Sequence, residues 1–217
     1  GGLTWDDVER VDFPGYNAMW TGIVNGQVDA AYATTVSGPT RKLEASPRGI
    51  FWPPAPHDDA GCWQRMDDIV PFMQKHIATR GAAISAANPH EGATYPYPML
   101  ITLADQDEQL VHDLAKAIHL HYEEYKNADP GSIGWAMGRQ NFQWVVPFHQ
   151  GAVRYFKAIG VWSDADDAHN TRLIQRQTVL ATAWQAHQAQ NPDDFSAAWM
   201  VRRAAALDAA GFDPIWR

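Results

Sequence analysis

Tyr97-Pro98-Met99-Leu100-Ile101-Thr102, and the run Pro147-Phe148-His149-Gln150-Gly151-Ala152-Val153-Arg154-Tyr155-Phe156 fifty residues later, decide how this chain is read. Residues 99–103 are apolar enough to form a buried strand, and Tyr95 and Tyr97, set between prolines, lead into it. Asp105 then offers an N-cap with Glu108 three residues on, the pattern of a capping box. Leu110, Leu114, Ala117, Ile118, His121 and Tyr125 fall on one face of the long helix that follows. Residues 151–159 form a second amphipathic helix, which Gly160 stops.

Upstream, residues 8–13 alternate apolar with polar and end at Pro14-Gly15, as a short strand closed by a turn does. Tyr16, Met19, Trp20, Ile23 and Val24 are spaced as on a helix over 16–25, with Gly26 as its terminator. Residues 28–35 read as a small buried strand. Ser37-Gly38-Pro39 turns the chain into a helix over 40–45. Strand, helix, strand, helix in this order predicts a parallel α/β sheet. A third strand is expected at 50–52, and a helix over 60–72 that Pro71 disrupts. The stretch 73–98, rich in Ala, Gly, Pro and Thr, reads as an irregular crossing segment, and the Trp-rich stretch after Gly131 as loop or short helix. Ser163 caps a long helix, and Asn191-Pro192-Asp193-Asp194 begins a last one.

With 46% hydrophobic and 19% charged residues and ten Trp among 217, the composition is that of a folded protein. A net charge of -8 repels phosphate backbones and anionic bilayers, which argues against nucleic acid as a partner. Cys62 is the single cysteine, so neither an internal disulfide nor a thiolate metal cage is available. No apolar run approaches the ~18 residues of a membrane span. Residues 1–10 carry neither the basic start nor the apolar stretch of an export signal.

The ordered set Gly15-Tyr16, Gly26-Gln27-Val28-Asp29-Ala30-Ala31-Tyr32, the strand at Tyr97 to Thr102 with its acid-capped helix, and Pro147 to Lys157 resembles the TAXI-type solute-binding proteins of TRAP transporters. The likeness runs over residues 3–162 and is nearest to a subgroup with Asn88-Pro89 ahead of the tyrosines. Phe148 stands where that family has leucine, and the family's Gly-Thr-Tyr-Pro-Gly-Gln loop is replaced around residues 86–94. The resemblance implies an α/β, type II periplasmic-binding-protein-like fold of two lobes, here lacking the N-terminal lobe and carrying an additional C-terminal helical pair. Residues 1–96 would belong to the second lobe and the crossing segment, 97–162 to the return into the first, and 163–217 to the helical extension. The function implied is capture of a small carboxylate or amino acid in the periplasm and its delivery to a TRAP membrane permease, by lobe closure near Tyr97, with no cofactor and no membrane-embedded segment.

Ligands of parallel sheets sit beyond the carboxyl ends of strands, where helix starts present free N–H groups. That puts Thr34, Thr35, Ser37 and Gly38 in the expected site, with capping of the next helix as the plainer role. Tyr95 and Tyr97 supply stiff aromatic walls, or merely hinge packing. His76 and Arg80 are the nearby groups able to pair with an acid. His112, His119 and His121 do not share one helix face, with His112 and His119 on the polar side, so they form no metal site, and His57-Asp58-Asp59 is a weak metal cue in a turn. His149 orients the helix start at Gly151. Trp184, Phe195 and Trp199 of the closing helices wrap the lobes or make a dimer or permease contact. Nucleophile-elbow and phosphate-loop motifs are missing, which lowers the expectation of catalysis. The competing functions are an enzyme on a related two-lobed scaffold and a sensory or interaction module built on the C-terminal helices.

Overall fold

The computed structural model describes residues 3–96 and 99–216. Half of the chain is helical, and the strands are few. The elements are α1 (Tyr16–Val24), α2 (Gly38–Glu44), α3 (Ala60–Ile69), β1 (Gln74–Ala78), β2 (His90–Thr94), α4 (Glu108–Leu120), α5 (Tyr122–Tyr125), α6 (Gln150–Ala158), α7 (Asp164–Gln190) and α8 (Phe195–Ala209), with short 3-10 turns between some of them. The chain divides into two compact units, Gly1–Tyr97 with Asn127–Ile133, and Pro98–Lys126 with Gly134–Arg217.

In the first unit, α1 forms where expected and ends in a complete Schellman turn. Gly26 takes φ +75, its N–H reaches the Ile23 carbonyl at 3.0 Å, and the Gln27 N–H reaches that of Gly22 at 2.8 Å. Trp20 and Ile23 of α1 and Leu43 of α2 are buried together, with Val28, Ala31, Ala33 and Ile50 packed against them. Residues 28–35 are thus only partly covered: Val28, Ala31 and Ala33 are half-buried, whereas Ala30 and Tyr32 are exposed, which corrects the buried strand expected there.

The predicted parallel sheet, however, is corrected. Residues 8–13, 28–35, 50–52 and 99–103 belong to no strand, and among the described residues the sheet is a two-stranded antiparallel pair, β1 against β2, with His76 opposite Gly92. Apolar patterning marks a segment as extended and coverable; strand identity needs a ladder partner, which patterning does not specify. The stretch 73–98, read as irregular, holds the pair instead. Its strands QKHIA and HEGAT lack alternation, and their edge is covered by the segment before α3, where Ala55 N–H bonds the Glu91 carbonyl at 3.0 Å.

In the second unit, α4 begins at Glu108 with Asp107 as its N-cap, accepting from the Leu110 N–H at 2.7 Å, so the cap is two residues later than Asp105. The helix packs on α6 by the face carrying Glu108, Val111, His112, Ala115 and His119, not by the Leu110–Leu114 face, whose leucines are 55% and 44% exposed. Gly151 decides this. A Cβ there would lie 2.3 Å from the Glu108 carbonyl and 2.9 Å from the His112 amide, so the two backbones nearly touch. Around this crossing, Val153, Tyr155, Phe156 and Trp162 are buried with Phe142 and Phe148, and the Phe142 ring lies 4.9 Å from Phe156 and 5.3 Å from Trp162. His149 caps α6 by accepting the Gly151 N–H at 3.1 Å, as expected, and Gly160 closes the helix in a second Schellman turn.

Ser163 caps α7 as predicted, in a full capping box with Asp166. Asn170, buried in the same helix, is satisfied by both backbone groups of Phe148. Asn191 ends α7 with φ 41, and Asp194, not Asn191, caps α8. Trp184, Phe195 and Trp199 pack on one another and on fully buried His187 at the closed end of the α7–α8 hairpin.

Two outcomes follow. Gly151→Ala must push α6 off α4 and should cost about 1–3 kcal/mol in urea unfolding. The Asp166 carboxyl lies below its ordinary value, chiefly because the Ser163 hydroxyl donates to it at 2.6 Å. Its contribution is therefore full above the unfolded value of 3.8 and is lost as pH falls through the lower folded value. Asp166→Asn should cost about 1 kcal/mol at neutral pH, and the gap to the parent should close in acid, read by urea titrations across pH.

Candidate functional site

The site is built by the long loop between β1 and β2. After Ala78 the chain passes through Thr79 and Arg80 and folds back over a Gly81–Ile84 bridge. Gly81 sits against Thr35 with φ +150, where an added Cβ would fall 2.7 Å from the threonine Cβ and 2.8 Å from its carbonyl oxygen. Only glycine fits both the backbone angle and the approach. Two bonds then fix the loop on the turn before α2, Ala82 N–H to the Thr35 carbonyl at 2.9 Å and Thr35 Oγ1 to the Arg80 carbonyl at 3.2 Å, and a third ties it to the segment after α2, Trp52 Nε1 to the Ala82 carbonyl at 2.8 Å.

Ala83 is held still more tightly. It adopts φ 55, a left-handed conformation unusual for alanine, with its N–H donated to Glu44 Oε1 at 2.6 Å and its carbonyl taken by Asn88 Nδ2 at 2.8 Å. The other Glu44 oxygen pairs with Arg41 at 3.0 Å. The Ala83 N–H and then Arg41 hold the Glu44 carboxyl below its usual range, so it is an anion at neutral pH.

Between loop and helix lies a groove of about 300 Å³ lined by Val36, Arg41, Thr79, Arg80, Gly81, Ile84 and Ser85. Two arginines and two hydroxyl-bearing residues line it with two branched apolar side chains, a combination that favours an anion with some apolar body. Among the described residues no acid or carbonyl lies within hydrogen-bond distance of the Arg80 guanidinium, whereas Arg41 is shared with Glu44.

The expected residues are distributed as follows. Thr35 is spent on the loop, and Ser37 is engaged by the Tyr16 hydroxyl at 3.2 Å and by Thr40 at 3.4 Å, while making no side-chain cap to α2. Thr34 closes the turn by accepting the Ser37 N–H, and Gly38 is the exposed first residue of a helix only seven residues long. The turn is therefore a scaffold for the groove, with Val36 as its lining member. His76 is exposed on β1 and is not part of the lining. Tyr95 bonds the Tyr32 hydroxyl and meets the Phe72 ring edge-on at 6.4 Å; burial, and then Tyr95, push the Tyr32 phenol up. Tyr97 lies outside the described residues. Arg41, Glu44, Ile84 and Ser85 escaped sequence reasoning, because the fold-back that brings them together is set by Gly81 and by Glu44, and neither has a local pattern.

The histidine cues resolve into structure. His112 and His119 sit under α6, not on a solvated face, with His119 Nδ1 on the Tyr155 hydroxyl at 2.6 Å and His112 Nδ1 on Asp113 at 2.9 Å, while His121 pairs with Glu124. His57 bonds the Gly92 carbonyl and Asp59 caps α3. Among the described residues no group of three or more His, Cys, Asp or Glu is arranged to hold a metal ion, and no helix is long and apolar enough to cross a membrane.

Residues 60–160 match the NMT1-like family, a periplasmic solute-binding family related to TRAP and ABC binding proteins and generally without enzymatic activity. The match contains the loop wall of the groove, from Thr79 to Ser85, and stops short of Val36 and Arg41. No curated protein and no solved structure gives a significant match to the chain. Ala83→Gly, which removes the left-handed penalty while keeping both backbone bonds, should raise stability by up to about 1 kcal/mol in thermal denaturation.

Proposed function

We propose that this chain captures a small carboxylate-type solute in the periplasm and passes it to a TRAP-type membrane permease, as a receptor of the TAXI type. The observation that carries the reading is the groove in which Arg41 and Arg80 face a common space beside hydroxyls and branched apolar side chains. The match to a solute-binding family over residues 60–160 supports it. Arg80 makes the principal charge-assisted bonds to the carboxylate, with Arg41 as the second cation. Thr34, Thr35, Ser37 and Gly38 act through the turn that carries Val36 into the lining, and His76, Tyr95 and Tyr97 are proposed as outer contacts of the ligand, beyond the lining. In this reading residues 1–96 form part of one lobe and the crossing segment, 97–162 the return segment, and 163–217 a helical extension. Capture requires no covalent step and no cofactor.

Isothermal titration calorimetry of the 217-residue chain against a panel of small carboxylates tests this. Saturable binding is expected, with every titrant recovered unchanged. Arg80→Gln should weaken it at least about tenfold, the loss of one charge-assisted bond. Undiminished affinity in Arg80→Gln removes the site, and consumption of the titrant removes the receptor reading.

A further inference from the structure

Resting on that reading, we infer that Glu44 makes the groove selective for monoanions with an apolar body, against dicarboxylates. The argument is one of charge and engagement. Arg41 and Arg80 line the groove, but Glu44 is paired with Arg41 at 3.0 Å, so the lining and its partner together carry one net positive charge. One carboxylate neutralises it. A second carboxylate on the same ligand would meet the field of the Glu44 anion with one guanidinium already committed.

Both Glu44 oxygens are engaged, one by the Ala83 N–H at 2.6 Å and the other by Arg41, so the carboxylate that sets this charge is fixed in place. Meanwhile Val36 and Ile84 offer apolar surface to the body of the ligand. Glu44 is thus a specificity-determining and positioning residue. It ties the loop wall at Ala83 to the helix wall at Arg41, and by its charge sets how many negative charges the groove accepts.

Butyrate and succinate share a four-carbon chain and separate the cases. In calorimetry on the whole chain, butyrate should bind at least about tenfold tighter than succinate, the scale of one unfavourable charge contact. Glu44→Gln keeps an acceptor for the Ala83 N–H and removes the negative charge, so it should retain the parent's thermal unfolding profile while narrowing or reversing the preference over succinate. Glu44→Ala removes the acceptor as well and should weaken both. Succinate binding as tightly as butyrate to the unmodified chain overturns the inference and leaves the receptor reading standing, as does a Glu44→Gln variant with unchanged preference. Failure of both compounds to bind overturns the inference and the receptor reading alike.

Discussion

The contact on which the site depends is backbone against backbone: the Ala82 amide donating to the Thr35 carbonyl, with Gly81 lying where a side chain would collide with Thr35. It brings a loop between two strands onto a turn some forty-five residues earlier in the chain, and the separation appears directly in the Thr35–Arg80 bond. Closing such a loop has an entropic cost that grows slowly with length, so a handful of well-placed bonds can hold it. Two of those bonds satisfy fully buried Ala82, whose amide donates to Thr35 and whose carbonyl is taken by Trp52. With the loop in this position, Arg80 and Ser85 line the same groove as Arg41.

The second unit is governed by a glycine too. Gly151 lets α6 lie directly on the first turn of α4, and the polar pairs Arg154 with Glu108 and His119 with Tyr155 follow from that approach. The aromatic cluster of Phe142, Phe148, Phe156 and Trp162 fills the space beside it. Tyr155 and His119 remain half-polar and inside, a pairing that satisfies both.

Local sequence patterns made the helices legible. Gly26, Gly160 and Ser163 each announce a terminus by a mechanism confined to a few residues, and each acts at the expected place. The strands were not legible, for a physical reason. Val28, Ala31 and Ala33 pack against α1 and α2 as a segment without a ladder, while Gln74 to Ala78 pairs with His90 to Thr94 despite poor alternation. Strand pairing is a long-range property and burial a local one. The α4 face was misjudged similarly: Leu110 and Leu114 form the more apolar stripe, but the close approach at Gly151 selects the His112–His119 side. Of the candidate groove, the turn at Thr34 to Gly38 reaches the lining only through Val36, and Arg80 was visible as a group able to pair with an acid. Glu44 and Arg41 were not, since their importance comes from Ala83, a residue with no chemical signal of its own.

The most direct measurement is a two-dimensional amide NMR titration of the whole chain with butyrate. The account predicts saturable shifts concentrated at Val36, Arg41 and the Thr79–Ser85 loop, with the Ala82 and Ala83 amides among the most affected because they report the bonds that hold the groove. Shifts confined to other parts of the chain, or their absence, would contradict it.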